Sequence, residues 1–279
     1  MKTPGRALFG LLLFTLFTGL TAGSARAHQF WLAPSSYDGT PGRPASVSAF
    51  AGTGFRGEAM PWSPAHGVRF VVRTARLVDL TPAAAPGETN WSRFVPTDGG
   101  GAMFAFESGF TGIQLAAAPF DAYLVDEGLT AARSARSRAG EVPGRERYRR
   151  CPKAWIAGTG AARATAPIGL PLEIVPLAVP GFGPMLPIRV VRDGRPLAGA
   201  LVKTWRSPLG AGVAPSDAAI RDSVGVSWKG RTDVRGTVTV PVPESGEWLI
   251  SVVDMVPCRE KEEADWESTW ASLTFARGR

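Results

Sequence analysis

Apolar residues recur at two different spacings along this chain. From residue 28 to about 118 the period is two. Val47, Ala49 and Ala51 alternate with polar or small residues after a Pro-Gly-Arg-Pro turn, β-branched and aromatic residues crowd positions 68–78, and Met103, Phe104 and Phe106 follow a run of glycines. Such short alternating segments, spaced by turn residues, predict the strands of a β-sandwich. From about residue 119 the spacing changes. Phe120, Tyr123, Leu124 and Leu129 recur at helical intervals with alanine and arginine between them, which predicts a helical insertion over about 119–150, broken at Gly128. Residues 144–156, "GRERYRRCPKAWI", are charged and then apolar. They predict a surface helix or turn that leads into a strand at 154–157.

Proline dominates 171–187 and predicts a domain boundary. Beyond it the alternation is regular. An Asp193-Gly194 turn separates two strands, Asp233 and Gly236 mark another turn, and strands are expected at 237–242, 248–253 and 271–275. The expectation is a mainly β protein of two antiparallel β-sandwich domains. The first spans 28–175 with its helical insertion, and the second, of immunoglobulin or transthyretin type, spans 186–279.

The first 27 residues have a different character. Lys2 and Arg6 precede an uncharged apolar run over 7–20, and the segment closes on Ala25-Arg26-Ala27. This is the layout of a secretory signal peptide, and the run is shorter than the roughly 20 residues a membrane span needs. Cleavage after Ala27 would make His28 the first residue of an exported, periplasmic protein with no membrane span. It would also lower the formal charge from +7 to +4. No basic stripe interleaved with aromatics is present, which argues against nucleic acid as a partner.

Candidate chemistry is sparse. The chain lacks a nucleophile elbow, a zincin helix and a phosphate-cradling loop, and it has 2 histidines; no enzyme activity is expected. An N-terminal His28 would offer an amine and an imidazole to one ion, a donor pair suited to nickel, cobalt or copper. His66 would add a third nitrogen, and Asp254 and Glu267 would add oxygens if the last strands end beside the N-terminus. Trp266 and Trp270 predict either a ligand-stacking surface or a plug at the seam between domains. Cys151 and Cys258 in an oxidising compartment predict a disulfide. It would close a loop of about 100 residues, worth about 4–5 kcal/mol in the chain-entropy model.

The C-terminal "DGRPLAGALV" and "TDVRGTVTVPVPESGEWLISV" resemble carboxypeptidase-regulatory-like and collagen-adhesin-B-like sandwich modules. The stretches "AHQFWLAPSSY", "FDAYLVDEGL", "GRERYRRCPKAW", "PIGLPLEIVPL" and "ADWESTWASLTF" extend the likeness to nearly the whole mature chain. It resembles an exported bacterial family labelled NikM-like, a periplasmic component of cobalt/nickel uptake. The resemblance implies a non-catalytic metal-binding or uptake accessory protein whose partner is a membrane transporter or an outer-membrane receptor component. The chain departs from the family pattern at Asp254, where a histidine is common, and at Cys151, where an aromatic residue is common. The alternative is a structural or interaction module of the envelope without metal.

Overall fold

The computed structural model describes residues 29–136, 142–210 and 225–278. The expected signal peptide over 1–27 and His28 lie outside the described residues. Among the described residues, strands form three sheets. The first contains β1 (Gln29–Pro34), β2 (Ala45–Thr53), β3 (Arg56–Met60) and β6 (Asn90–Phe94). The central sheet has nine strands. From one edge to the other run β14 (Trp228–Arg231), β13 (Leu201–Ser207), β16 (Gly246–Pro257), β17 (Trp266–Arg277), β9 (Gly144–Ile156), β7 (Ala102–Ser108), β4 (Gly67–Arg73) and β5 (Leu77–Asp79), and β8 (Thr111–Leu115) also pairs with β9. The third sheet contains β10 (Leu172–Pro176), β11 (Met185–Arg192), β12 (Arg195–Pro196) and β15 (Thr237–Pro241).

The expected antiparallel sandwiches are present, but they share a wall. On β9, Ala154 and Ile156 point into a core with Leu32, Val47, Phe70 and Phe104, under the first sheet. Cys151 and Trp155 point the opposite way, into a core with Ile174, Ile188, Val240 and Leu273, under the third sheet. The two outer sheets therefore cover opposite faces of the central one. Its inner strands carry apolar residues on both faces, so 151–156 is buried without a break. This is the near-continuous pattern of a doubly covered strand.

One pairing is not antiparallel. β17 runs parallel to β9, with Glu267 opposite Arg147 and Thr274 opposite Ala154. This corrects the reading of 144–156 as a helix or turn: all 13 residues are strand. The helical insertion is shorter than expected. It comprises α1 (Ala117–Asp126) and α2 (Thr130–Arg136), with Gly128 between them at φ 64°. A third short helix, α3 (Ala161–Thr165), follows β9. The stretch read as a boundary at 171–187 contains β10, all five residues of which are buried, and the start of β11. The Asp193-Gly194 turn forms as expected, with both residues at positive φ and Arg192 paired with Arg195.

The hairpin α1–α2 packs Phe120, Tyr123, Leu124 and Leu129 against Val253, Met255, Trp266 and Trp270. The two tryptophans are thus buried beneath helices. They form neither an exposed stacking surface nor a plug between domains. The expected disulfide is also absent: Cys151 and Cys258 are both free and buried. In the register of β16, β17 and β9, Pro257, Trp266 and Glu146 lie side by side. Cys258 continues from Pro257, while Cys151 is five residues further along β9. At roughly 3.3 Å per residue that offset alone is about 16 Å, more than twice the roughly 7 Å Cα separation a disulfide tolerates. Titration with a thiol reagent after unfolding without reductant should count two thiols per chain; a bonded pair would count none.

Candidate functional site

Alternation along β9 and β17 places a polar network at one end of the central sheet. Arg145, Arg147 and Arg149 project from one face of β9, and the parallel register sets Glu267 beside Arg147 and Thr269 beside Arg149. Asp254 lies opposite Thr269 on β16, so it shares that face. The third sheet stops short of this end and contributes Arg192 from β11.

Arg147 is the hub. It donates to Glu260 at 2.5 Å, to Glu263 at 2.7 Å and to Glu267 at 2.6 Å. Burial opposes its charge, but the hydrogen bonds it donates to Glu267 and Glu263 prevail and hold the guanidinium well above the ordinary arginine value. Arg192 reaches Glu267, Asp254 and Asp193, each at 3.5 Å. Arg145 forms a two-pronged pair with Asp265. Three arginines are thus ion-paired with six carboxylates: Asp193, Asp254, Glu260, Glu263, Asp265 and Glu267. A fourth, Arg149, donates to the Thr269 hydroxyl. The guanidiniums of Arg147 and Arg149 lie 4.4 and 4.9 Å from the ring centre of Phe110. Burial raises the Asp254 carboxyl above the usual range, although Arg192 pulls the other way.

Cys258 borders this network. Its thiol lies 3.5 Å from the Glu260 carbonyl oxygen and 3.8 Å from a Glu260 carboxylate oxygen. Ligand atoms of Cys258, Glu260 and Glu267 all fall within 4.8 Å of one another. Sulfur at about 2.3 Å and oxygens at about 2.0–2.2 Å from a common ion would need closure of roughly 1 Å, and the exposed Glu260 side chain can supply that movement.

Only two of the four metal ligands expected from sequence come together. Glu267 and Asp254 share the network through Arg192. His66 is exposed in the turn before β4, where Nδ1 is 3.0 Å from the Ser63 hydroxyl. The N-terminal strand packs on the other face: the Ser272 and Thr274 hydroxyls donate to the Phe30 and Leu32 carbonyls, and even-numbered β17 residues face away from Glu267. The placement of Asp254 and Glu267 beside the N-terminus is therefore corrected. Sequence reasoning assigned Cys258 to a disulfide and passed over Glu260 and Arg147. The signal was legible as matched alternations, Arg145-x-Arg147-x-Arg149 and Asp265-x-Glu267-x-Thr269, which pair only if both segments are strands.

Comparisons with known proteins add a family and little else. The model of a family described as a domain of unknown function, DUF4198, matches residues 25–255. No curated protein matches the chain. Among solved structures, the D0-D1 domain of intimin aligns over 88% of this chain and 97% of that one. Its identity of 10% and TM-score of 0.19 give it no weight as an argument.

Proposed function

The chain belongs to the DUF4198 family, whose description names no activity, and we propose that it is an exported, non-catalytic protein that binds a divalent transition metal ion. The ion would be nickel, cobalt or copper, and Cys258, Glu260 and Glu267 would hold it. The observation that carries this reading is the convergence of one thiol and two carboxylates within 4.8 Å, in a network where carboxylates outnumber guanidiniums. Sulfur and oxygen donors together suit a late first-row ion more than magnesium or calcium. Loading would release the Cys258 proton, since only a thiolate ligates. Arg147 would give up Glu260 and Glu267 while keeping Glu263 and the Phe110 ring. The leader-like segment over 1–27 supports export to the periplasm, where a membrane transporter or an outer-membrane receptor component would take the ion onward.

Calorimetric titration of the protein starting at His28 with Ni(II), Co(II) and Cu(II) tests the proposal. One ion should bind per chain, and Glu267→Gln and Cys258→Ser should each weaken it at least about tenfold. A form that keeps Ala27 ahead of His28 should bind as well as the parent. If that extension abolishes binding, the site is at the N-terminus and the assignment here fails.

A second reading, an envelope interaction module without metal, is favoured by one surface. Leu77 and Val78 on the edge strand β5 are 46% and 45% exposed. Unpaired apolar edges are sites for strand addition. Metal-independent capture of a partner, abolished by Val78→Lys, would support this reading.

A further inference from the structure

On the face of the central sheet opposite the metal candidates, β9 has a notch. β8 pairs with Gly144–Tyr148 and β7 pairs with Ala154 and its neighbours from Lys153 to Ile156. Between them, 149–152 have no strand partner on that edge. The Arg150 N–H is satisfied there by the Ser108 hydroxyl at 2.8 Å.

The Arg150 side chain is held firmly between two rings, and the buried Glu146 and Glu127 carboxylates attract it only from beyond ion-pair distance. Its guanidinium lies 4.7 Å from the ring centre of Tyr148, two residues back on the same face, and 4.6 Å from that of Trp270, its cross-strand neighbour. Trp270 is itself fixed, by stacking on Tyr123 and by donating to the Ser268 hydroxyl. Nη1 of Arg150 is buried with no hydrogen-bond partner. The cations buried below a tenth exposure have carboxylates: Lys153 has Glu173, Lys203 has Glu127 and Arg136 has Asp121. Among the described residues no carboxylate is within ion-pair distance of Arg150. A buried N–H donor on a charged group is costly to leave unpaired, and ring faces supply attraction but no acceptor.

We propose that Arg150 is the anchor of a binding site for a small organic anion, whose carboxylate accepts from the guanidinium where it lies between the Tyr148 and Trp270 rings. The planar fork matches a carboxylate with two parallel hydrogen bonds, and the Tyr148 and Trp270 rings hold that fork in one orientation. The half-buried Tyr148 ring offers apolar contact to the rest of the anion. This site is separate from Cys258, Glu260 and Glu267, and it does not depend on metal.

Titration of the metal-free protein with acetate, succinate and citrate tests the proposal, followed by calorimetry and tryptophan fluorescence, with phosphate and sulfate as parallel arms. At least one carboxylate should bind saturably and perturb the fluorescence. Arg150→Lys should weaken it about ten- to hundredfold, the worth of charge-assisted hydrogen bonds. Arg150→Met should abolish it while the protein stays folded. Phosphate binding without carboxylate binding would overturn the ligand class. No binding by the unaltered protein, or equal binding by Arg150→Met, would overturn the site, and greater stability of Arg150→Met without binding would mark Arg150 as a packing residue.

Discussion

Glu173→Ala should lower the free energy of unfolding by about 3–5 kcal/mol, the cost of removing one partner of a buried ion pair. Glu173 and Lys153 are 1% and 0% exposed, and their charged groups meet at 2.8 Å inside the core under the third sheet. Glu173 has further partners: its carboxylate accepts N–H groups of Ile168, Gly169 and Leu170 at 2.8, 2.9 and 3.3 Å. Alanine would leave the ammonium with only the Ile174 carbonyl, at 3.0 Å, and would strand all three backbone donors. Lys153→Met should cost less, because the carboxylate would keep its backbone donors. Burial alone would raise the Glu173 carboxyl, but Lys153 and the backbone N–H groups of Ile168 and Gly169 outweigh it and hold it below the ordinary glutamate value. A depressed carboxyl stabilises the fold above the ordinary value, and that contribution fades as pH falls through the lower, folded value. Denaturant curves should therefore show a stability gap between the parent and Glu173→Gln that is full at neutral pH and narrows below about pH 4. A gap that is constant with pH, or a loss under about 1 kcal/mol for Glu173→Ala, would contradict the assigned pairing.

Trp31→Ala should cost a similar amount, about 3–5 kcal/mol, for a different reason. Trp31 is fully buried in a small cluster with Phe55, Trp205 and Leu249. Its ring stacks on Phe50 at 6.0 Å and meets Phe55 edge-on at 5.6 Å. This cluster joins the first sheet to β13 and β16, whose residues otherwise pack mainly under the third sheet. Losing the indole would open a cavity where the two halves meet. Trp31→Phe should be much milder. The indole N–H is buried without a partner, so phenylalanine removes an unsatisfied donor along with some volume. Equilibrium unfolding of both variants checks the ranking; a phenylalanine variant as damaged as the alanine one would refute the argument.

Period-two alternation placed most strands correctly because it reports which side of a strand is buried. It failed where both sides are buried or both are charged. At 144–156 the arginines suggested a solvated helix, and only the partner strand 120 residues away explains why charges alternate there. At 172–176 the prolines suggested a linker, yet Leu172, Ile174 and Val175 are buried. The flanking prolines mark strand ends. The metal candidates were chosen by ligand chemistry alone, which is blind to the face of a sheet. Glu267 was named for its oxygen, and Cys258 was assigned to the wrong partner because linear order does not reveal a parallel crossover.

That crossover has a consequence for the order of assembly. β17 sits at the middle of the central sheet, between β16 and β9, yet every strand it touches is synthesised before it. Until residues 266–277 are available, β9 and β16 each present a long unsatisfied edge, and neither sandwich has a finished wall. The rate of folding should be set by the capture of this last strand, a long-range step with a high loop-closure cost. A partly made chain is held open at its centre, with its most apolar strands accessible to other chains.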